Sequence, residues 1–227
     1  MSLPIIVVRP EPGLSATLEA AEAIGLRTRG HPLAAVAPLK WDAPGDADFD
    51  ALLLGSANAV RHAGPALTRW QGRPAHVVAE ATASAAREAG LRVETVGEGG
   101  LQPLVETLRP HAPIRLLRLA GERHRPLSPP RGVAIETRIV YRVDYRQLPP
   151  DLAQRLRHGA LVLLHSGEAA RHFAQECDRC GVGRGGVAIA ALAPRIADLA
   201  GPGWREVRCA PQPTDAALLA LARDMCH

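Results

Sequence analysis

Short stretches of small, hydroxylated or cationic residues follow most of the apolar runs in this sequence. Their backbone N–H groups, hydroxyls and guanidinium groups can bind carboxylates or phosphates. In open parallel sheets, ligands bind beyond the carboxyl ends of the strands, where helix N-termini present free N–H groups. Simple helix capping is the alternative explanation for each serine and threonine among them. The candidates are Arg9, Ser56-Ala57-Asn58, Glu80-Ala81-Thr82, Gly121 to Arg125, Ser166-Gly167-Glu168, Ala193-Pro194-Arg195 and Pro213-Thr214.

Both tyrosines of the chain, Tyr141 and Tyr145, lie in the stretch from Arg138 to Tyr145. The apolar residues of this stretch are largely β-branched or aromatic, which predicts a strand. Because the stretch lies past the middle of the chain, it forms either a core strand or a connector between two domains.

The motifs of several other chemistries are missing from the sequence. It contains no Gly-x-Gly-x-x-Gly after the first apolar run, no Gly-x-x-x-x-Gly-Lys loop and no Gly-x-Ser-x-Gly elbow, which leaves nucleotide binding and serine hydrolysis without their usual signals. Cys177 and Cys180 form one Cys-x-x-Cys pair without the second pair that a zinc site needs, and late in a predicted helix. We expect incidental thiols and no metal, with metal or redox function as the alternative.

Apolar runs and helical segments alternate along the chain, which predicts an α/β protein with parallel sheets. The first strand, Ile5 to Val8, is a continuous apolar run of the kind that is buried on both faces. Ser15 is predicted to cap the helix that follows it. Further predicted strands are Ala51 to Leu54, His76 to Ala79, Leu91 to Val96, Ile114 to Leu119, Arg138 to Val143, Ala160 to Leu164, Val187 to Ala191 and Arg205 to Cys209.

The second half of the chain repeats the order of the first. Ile114 to Leu119 corresponds to the opening strand, and Ala160 to Gly167 corresponds to Ala51 to Ala57 about 110 residues earlier. Such a repeat predicts two similar α/β domains. The extended segments 31–38 and 138–145 are then equivalent, and they could pair as an antiparallel ladder if each crosses between domains.

Composition places few further limits on function. The net charge of +4 suits an acidic small molecule, and the sequence has no Lys/Arg run typical of a nucleic-acid surface. No apolar run approaches the length of about 20 residues that spans a bilayer, and the N-terminus does not resemble a signal peptide. We therefore expect a cytoplasmic protein that binds neither nucleic acid nor membrane.

The order and spacing of these motifs resemble those of the uroporphyrinogen-III synthase family over nearly all 227 residues. Each motif is weak alone, but the ordered set is fairly specific. The resemblance rests on Val8-Arg9-Pro10-Glu11, Asp50 to Val60, Val78 to Ala83, Val140-Tyr141, Leu164 to Gly167 and Pro211 to Leu218.

The resemblance implies two flavodoxin-like domains of the HemD-like fold, joined by a two-stranded antiparallel linker. Residues 1–34 and 146–227 would form a discontinuous first domain, and residues 39–137 the second. Residues 35–38 and 138–145 would be the linker strands.

The resemblance also implies a cofactor-free lyase of haem biosynthesis, which we expect to be monomeric. In the cleft between its domains, the acidic linear tetrapyrrole hydroxymethylbilane would lose water and close into uroporphyrinogen III with its last ring, ring D, inverted. Tyr141, at the position of the family's linker tyrosine, would protonate the leaving hydroxyl, with a packing role as the alternative. The expected substrate-binding residues are Arg9, Ser56, Ala57, Asn58, Thr82, Gly121, Arg125, Ser166, Gly167, Arg195 and Thr214.

The chain departs from the family pattern at several places. Ala79 and Ala193 replace glycines, and Arg195 and Ile196 replace threonines, so Arg195 could supply an ion pair in place of hydroxyl contacts. The segment from Gly121 to Gly132 is short and rich in proline. A non-catalytic tetrapyrrole-binding or regulatory relative is therefore the alternative function, and a flavodoxin-like cofactor binder is the third.

Overall fold

Strands and helices alternate in the computed structural model, which describes residues 3–108 and 112–226. The strands are β1 (Ile5–Val7), β2 (Thr28–Gly30), β3 (Ala34–Pro38), β4 (Ala51–Leu54), β5 (Pro74–Val78), β6 (Arg92–Gly97), β7 (Ile114–Gly121), β8 (Val133–Tyr145), β9 (Ala160–Leu164), β10 (Val187–Ala191) and β11 (Glu206–Cys209). The α-helices are α1 (Gly13–Ala23), α2 (Ala57–Arg61), α3 (Glu80–Glu88), α4 (Leu101–Thr107), α5 (Pro150–Arg157), α6 (Gly167–Arg179), α7 (Pro194–Ala200) and α8 (Asp215–Met225).

The first compact unit combines the residues up to Ala35 with those from Asp144 onward. Its sheet has the order β2-β1-β9-β10-β11, and all neighbouring strands are parallel. Helices α1 and α8 pack on one face and α5, α6 and α7 on the other. The three central strands, β1, β9 and β10, are buried on both faces because they consist of apolar residues, whereas the edge strands β2 and β11 are more polar and more exposed.

The second unit spans Val36–Val143. Its parallel strands have the order β8-β7-β4-β5-β6, and β3 lies next to β8 at the edge. One face packs against α2, α3 and a 3₁₀-helix at Gly64–Trp70, with Trp70 fully buried. The other face packs against α4 through Leu104 and Val105.

Both sheets have the same strand order, although their strands come from different halves of the chain. Strands β1 and β2 in the first unit occupy the positions of β7 and β8 in the second. Likewise, β9, β10 and β11 occupy the positions of β4, β5 and β6. Apart from the edge strand β3, each sheet therefore takes two strands from one sequence repeat and three from the other.

The two extended segments that connect the units run in opposite directions. The N–H of Leu39 donates to the carbonyl of Val140, and the N–H of Arg146 donates to the carbonyl of Leu33, each over 2.9 Å. Residue numbers therefore rise from 33 to 39 on one segment while those of their hydrogen-bond partners fall from 146 to 140 on the other. This is the register of an antiparallel pair. The predicted fold class, two parallel-sheet domains with an antiparallel two-stranded linker, is confirmed.

Several local predictions need correction. Helix α1 begins at Gly13, so Ser15 lies inside it and does not cap it. Instead, the Glu11 carboxylate accepts hydrogen bonds from the backbone N–H and the hydroxyl of Ser15. The strand predicted from Arg138 is longer, because β8 begins at Val133. Within the described ranges, no helix is both long and apolar enough to cross a membrane.

Candidate active site

Two predicted hydroxyls on the first unit cap helices at the carboxyl ends of strands. Ser166 precedes α6, and its Oγ accepts the N–H of Ala169 at 3.3 Å. Thr214 precedes α8, and its Oγ1 accepts the N–H of Ala217 at 3.3 Å. Both side chains belong to exposed residues. Since each oxygen acts as acceptor in its cap, the hydroxyl hydrogen remains available to a ligand.

Arg9, which follows β1, is held by a network that the sequence did not indicate. Its Nη1 donates to both carboxylate oxygens of Asp215, at 3.0 and 2.8 Å, and to the Thr17 hydroxyl at 3.0 Å. The Thr17 hydroxyl lies 2.7 Å from Asp215 Oδ2, and Thr17 is fully buried. This network joins β1 to α1 and α8 at the rim of the sheet.

The guanidinium of Arg9 keeps one edge open. Among the described residues, no hydrogen bond reaches its Nε or Nη2, and the side chain is 28% exposed. A Cβ at Gly13 would stand within about 2.6 Å of Nε, Cζ and Nη2, so the glycine lets the backbone pack flat on the guanidinium. The Nε–Nη2 edge is the geometry that binds a carboxylate through two hydrogen bonds.

His165 lies beside this network, directly after β9. Its Nε2 is 3.5 Å from Asp215 Oδ1, its side chain is only 5% exposed, and neither ring nitrogen has a hydrogen-bond partner in the described part of the chain. Burial and the Arg9 charge lower its pKa to about 4, against the opposing effects of Asp215 and the backbone of Leu163. The imidazole is therefore neutral near pH 7. Sequence reasoning missed His165, Thr17 and Asp215 because their proximity exists only in the folded unit.

Gly167 and Arg195 lie on neighbouring helices of the same rim. Gly167 is buried at the start of α6, and a Cβ there would collide with the side chain of Leu199 in α7. The glycine thus allows α6 and α7 to approach closely. Arg195, the second residue of α7, is exposed and has no ion pair within residues 3–108 and 112–226.

On the second unit, Ser56, Ala57 and Asn58 follow β4. The Oγ of Ser56 accepts the N–H of Asn58 at 3.2 Å and caps α2. All three residues are half-buried. As with the caps on the first unit, the hydroxyl hydrogen of Ser56 remains available as a donor.

Thr82 and Ala79 follow β5 on the same unit. Thr82 lies inside α3 and is buried, so it is not a cap. Ala79 precedes the helix with φ 66° and ψ 150°, a conformation that glycine adopts readily and alanine adopts only under strain. Its counterpart on the first unit, Ala193, has φ −158° and is unstrained. The two departures from the family glycine thus differ physically.

Tyr141 lies on β8 opposite Gly121, the last residue of β7. The ladder shifts by one residue between Ala120 and Gly121, and the ring of Tyr141 lies over the Gly121 backbone. A Cβ at position 121 would stand 2.8 Å from Cε2 of this ring. The half-buried Tyr141 also packs against the apolar face of the sheet. Its phenol is therefore placed at the carboxyl end of β7 by the absence of a side chain at 121.

His62 and Arg118 lie close to Tyr141. The rings of His62 and Tyr141 have centroids 6.2 Å apart, and burial, followed by the charge of Arg61, lowers the pKa of His62. Arg118 is 6% exposed, and no carboxylate forms an ion pair with it in the described ranges. Burial lowers its pKa, while its interaction with Tyr141 opposes that shift. The phenol of Tyr141 thus lies beside the imidazole of His62 and interacts electrostatically with the Arg118 cation.

Arg125 lies in the segment between β7 and β8, which contains no helix. Nη1 of Arg118 donates to the Arg125 carbonyl at 2.8 Å, and Gln102 of α4 bonds both the N–H and the carbonyl of Ser128. These bonds attach the proline-rich segment, which contains no helix, to β7 and α4. The Arg125 side chain is exposed and has no ion pair among the described residues.

The cysteine pair lies away from both sets of strand ends. Cys177 is fully buried in α6, and Cys180 is the residue that ends this helix. Burial raises the pKa of the Cys177 thiol to about 12, so it stays protonated. Within the part of the chain that the structure describes, no cluster of three or more His, Cys, Asp or Glu residues could hold a metal ion.

Comparison with known proteins gives one family and one fold. The family model described as uroporphyrinogen-III synthase HemD matches residues 15–220. Uroporphyrinogen-III synthetase from Helicobacter pylori 26695 is 17% identical, with 98% of this chain and 99% of that chain covered and a TM-score of 0.64. A mutant uroporphyrinogen III synthase from the extremely thermophilic bacterium Thermus thermophilus is 17% identical, with 98% of each chain covered and a TM-score of 0.54. No curated protein matches the sequence.

Proposed function

This chain belongs to the uroporphyrinogen-III synthase HemD family, and from that premise we propose how its residues convert hydroxymethylbilane into uroporphyrinogen III. The net change is the loss of one water. The terminal hydroxyl leaves with a proton from the enzyme, and an azafulvene cation remains. Ring closure through a spiro intermediate inverts ring D, and the carbon that forms the final bond gives up its proton.

Tyr141 is the proposed general acid for the leaving hydroxyl. The observation that carries this assignment is the position of its ring over Gly121 at the carboxyl end of β7. Arg118 interacts electrostatically with Tyr141, so a cation lies near the oxygen that donates the proton.

The substrate carries eight carboxylates, and we propose that both rims bind them. The open Nε–Nη2 edge of Arg9 supplies a bidentate site. The exposed side chains of Arg125 and Arg195, which form no ion pair among the described residues, supply two further cations. The other proposed contacts are the hydroxyls of Ser56, Thr82, Ser166 and Thr214, the amide of Asn58 and the backbone at Ala57, Gly121 and Gly167.

Positioning should matter more than acid strength in this reaction. Hydroxymethylbilane closes spontaneously to the type I isomer, so the enzyme must hold the chain in the conformation that leads through the spiro intermediate. Carboxylate contacts at both ends of the substrate supply that constraint. Substitutions of the arginines should therefore change the ratio of isomers as well as the rate.

The purified protein with hydroxymethylbilane tests the proposal. We expect predominantly the type III isomer, and Tyr141→Phe should reduce its rate of formation while far-UV circular dichroism stays unchanged. Type I product at the spontaneous rate would instead favour the alternative, a non-catalytic tetrapyrrole-binding relative. Unchanged turnover of Tyr141→Phe would remove the phenol from the acid role.

We further propose that the protein acts as a cytoplasmic monomer and without a cofactor. The proposed chemistry needs no electron transfer, which supports a reaction without a redox cofactor. Sedimentation at several protein concentrations tests the oligomeric state, and activity after exhaustive dialysis against a chelator tests the need for a metal.

A further inference from the structure

The group formed by Arg9, Asp215 and His165 carries no net charge as it stands. The Arg9 guanidinium and the Asp215 carboxylate form an ion pair at 2.8 Å. The imidazole, 3.5 Å from the same carboxylate, is neutral near pH 7 because burial and the Arg9 cation disfavour its charged form. Both of its ring nitrogens are buried and lack partners among the described residues. A buried polar group without a hydrogen-bond partner is costly, so a partner gained by this imidazole would stabilise it.

A ligand carboxylate on the open edge of Arg9 would change this balance. Arg9 would then face two carboxylates, and its charge would no longer be available to repel a proton on the imidazole. Asp215 would remain 3.5 Å from Nε2, within easy reach of a hydrogen bond after a small side-chain rotation. The two charged groups that act on His165 are thus Arg9 from the end of β1 and Asp215 from α8.

We propose that His165 takes up a proton when a substrate carboxylate binds Arg9, and that the imidazolium then pairs with Asp215. The proton comes from solvent and binds to a ring nitrogen, so no covalent bond between heavy atoms forms or breaks. Two cations, Arg9 and protonated His165, then balance two carboxylates, Asp215 and that of the ligand. His165 is then a positioning residue, because it holds Asp215, and through it Arg9, against the incoming negative charge. The inference rests on the proposed role of Arg9 in carboxylate binding.

Linkage makes the proposal measurable. If ligand binding favours protonation of His165, then protonation must favour ligand binding by the same factor. Affinity for the ligand should therefore rise as pH falls below the pKa that His165 has in the complex, and the rise should continue toward its value of about 4 in the free protein. Turnover should be affected less than KM, because His165 acts on binding and not on the leaving hydroxyl.

Isothermal titration calorimetry with uroporphyrin, the oxidised octacarboxylic macrocycle, provides the test. Binding enthalpies at one pH in phosphate and in Tris differ by the number of protons taken up times the difference in buffer ionisation enthalpy. We expect uptake of up to one proton per bound uroporphyrin by the wild type and none by His165→Asn. His158→Asn is the matched control, since His158 is an exposed histidine at the end of α5 in the same unit.

The possible outcomes separate this inference from the proposed function. Binding without proton uptake by the wild type, or equal uptake by His165→Asn, overturns the inference and leaves the function untouched. Failure of uroporphyrin to bind overturns the inference, whereas the proposed function is decided by the isomer assay with hydroxymethylbilane. If His165→Asn does not fold, ¹⁵N shifts of the His165 ring in labelled wild-type protein give the same information, and they should move to imidazolium values when uroporphyrin saturates the site.

Discussion

A Cβ atom at Gly121 would stand 2.6 Å from Cζ of Tyr141 and 2.9 Å from its hydroxyl oxygen. Real Cβ atoms do not approach other heavy atoms so closely, so any side chain at 121 must push the phenol away. Gly121 therefore contributes to the site by leaving space for the proposed acid, whose ring packs directly on the Gly121 backbone.

Gly121→Ala should lower the rate of type III formation by at least about tenfold, since general acids contribute about 10²–10⁴-fold. The fold should persist, because the displaced ring lies at the end of the sheet. Gly183→Ala is the control, as a Cβ there meets nothing within 4 Å. Equal activity of Gly121→Ala and the wild type would show that the position of the ring is unimportant.

Ala79→Gly should stabilise the protein. Strain at a φ of 66° costs about 1–3 kcal/mol of stability, which glycine would recover. The greater entropy of glycine in the unfolded chain opposes this gain by about 0.4–1 kcal/mol. We expect a net gain of about 1 kcal/mol in urea unfolding. Ala193→Gly, at the unstrained counterpart with φ −158°, should instead lose stability. Loss of stability by both variants would mean that Ala79 is not strained.

His165 should make the protein sensitive to mild acid. Its pKa falls from about 6.5 in the unfolded chain to about 4 in the fold. The unfolded state therefore binds more protons between these values, and stability falls as pH is lowered through this window. The loss is about 3 kcal/mol by pH 4. His165→Asn should reduce this slope in urea titrations from pH 7 to 4 and leave the contributions of His62 and His76, whose pKa is also lowered by burial. The exposed His158→Asn should keep the full slope.

Glu176 should stabilise the fold above acidic pH. Its carboxylate accepts the backbone N–H of Leu148 at 2.6 Å and two bonds from Arg179. The hydrogen bonds from Arg179 are the largest cause of the lowered pKa of Glu176. The ionised carboxylate therefore stabilises the fold above its unfolded-state pKa of about 4.3. That stabilisation is lost as pH falls through the lower pKa of the folded state.

Glu176→Gln should cost about 1.5–3 kcal/mol at pH 7, and the difference from the wild type should shrink below about pH 4. Thermal unfolding at pH 7 and pH 3.5 measures both values. Glu19→Gln, at an exposed position of α1, should change neither. A cost for Glu176→Gln that is the same at both pH values would contradict the role of its charge.

The sequence predicted much of the fold because local pattern determined it. Continuous apolar runs such as Ile5 to Val8 marked strands that are buried on both faces, and the repeat marked two related sheets. Helix α5 was missed, although Pro150 at its first turn and the spacing of Leu152 and Leu156 indicate a helix start and a buried face.

From the sequence, only those residues of the candidate site that directly follow a strand could be predicted. Ser56, Ser166 and Thr214 follow strands along the chain, so local order located them at the rims. The bonds of Arg9 to Asp215 span 206 residues, and no local pattern reports such a contact. His165 was overlooked for the same reason, since its burial and its lack of partners among the described residues follow from packing between strands and helices distant in sequence.

The exchange of strands between the repeats has a consequence for synthesis. Strands β3 to β8, which build the second sheet, emerge from the ribosome in one uninterrupted stretch and can pair as soon as β8 is free. Strand β1 emerges first, but Ile5 pairs with Leu161, which is translated only after the second sheet is complete. Strand β1 can pair with β2 early, but its other edge, which pairs with β9, stays unpaired until the second sheet is complete.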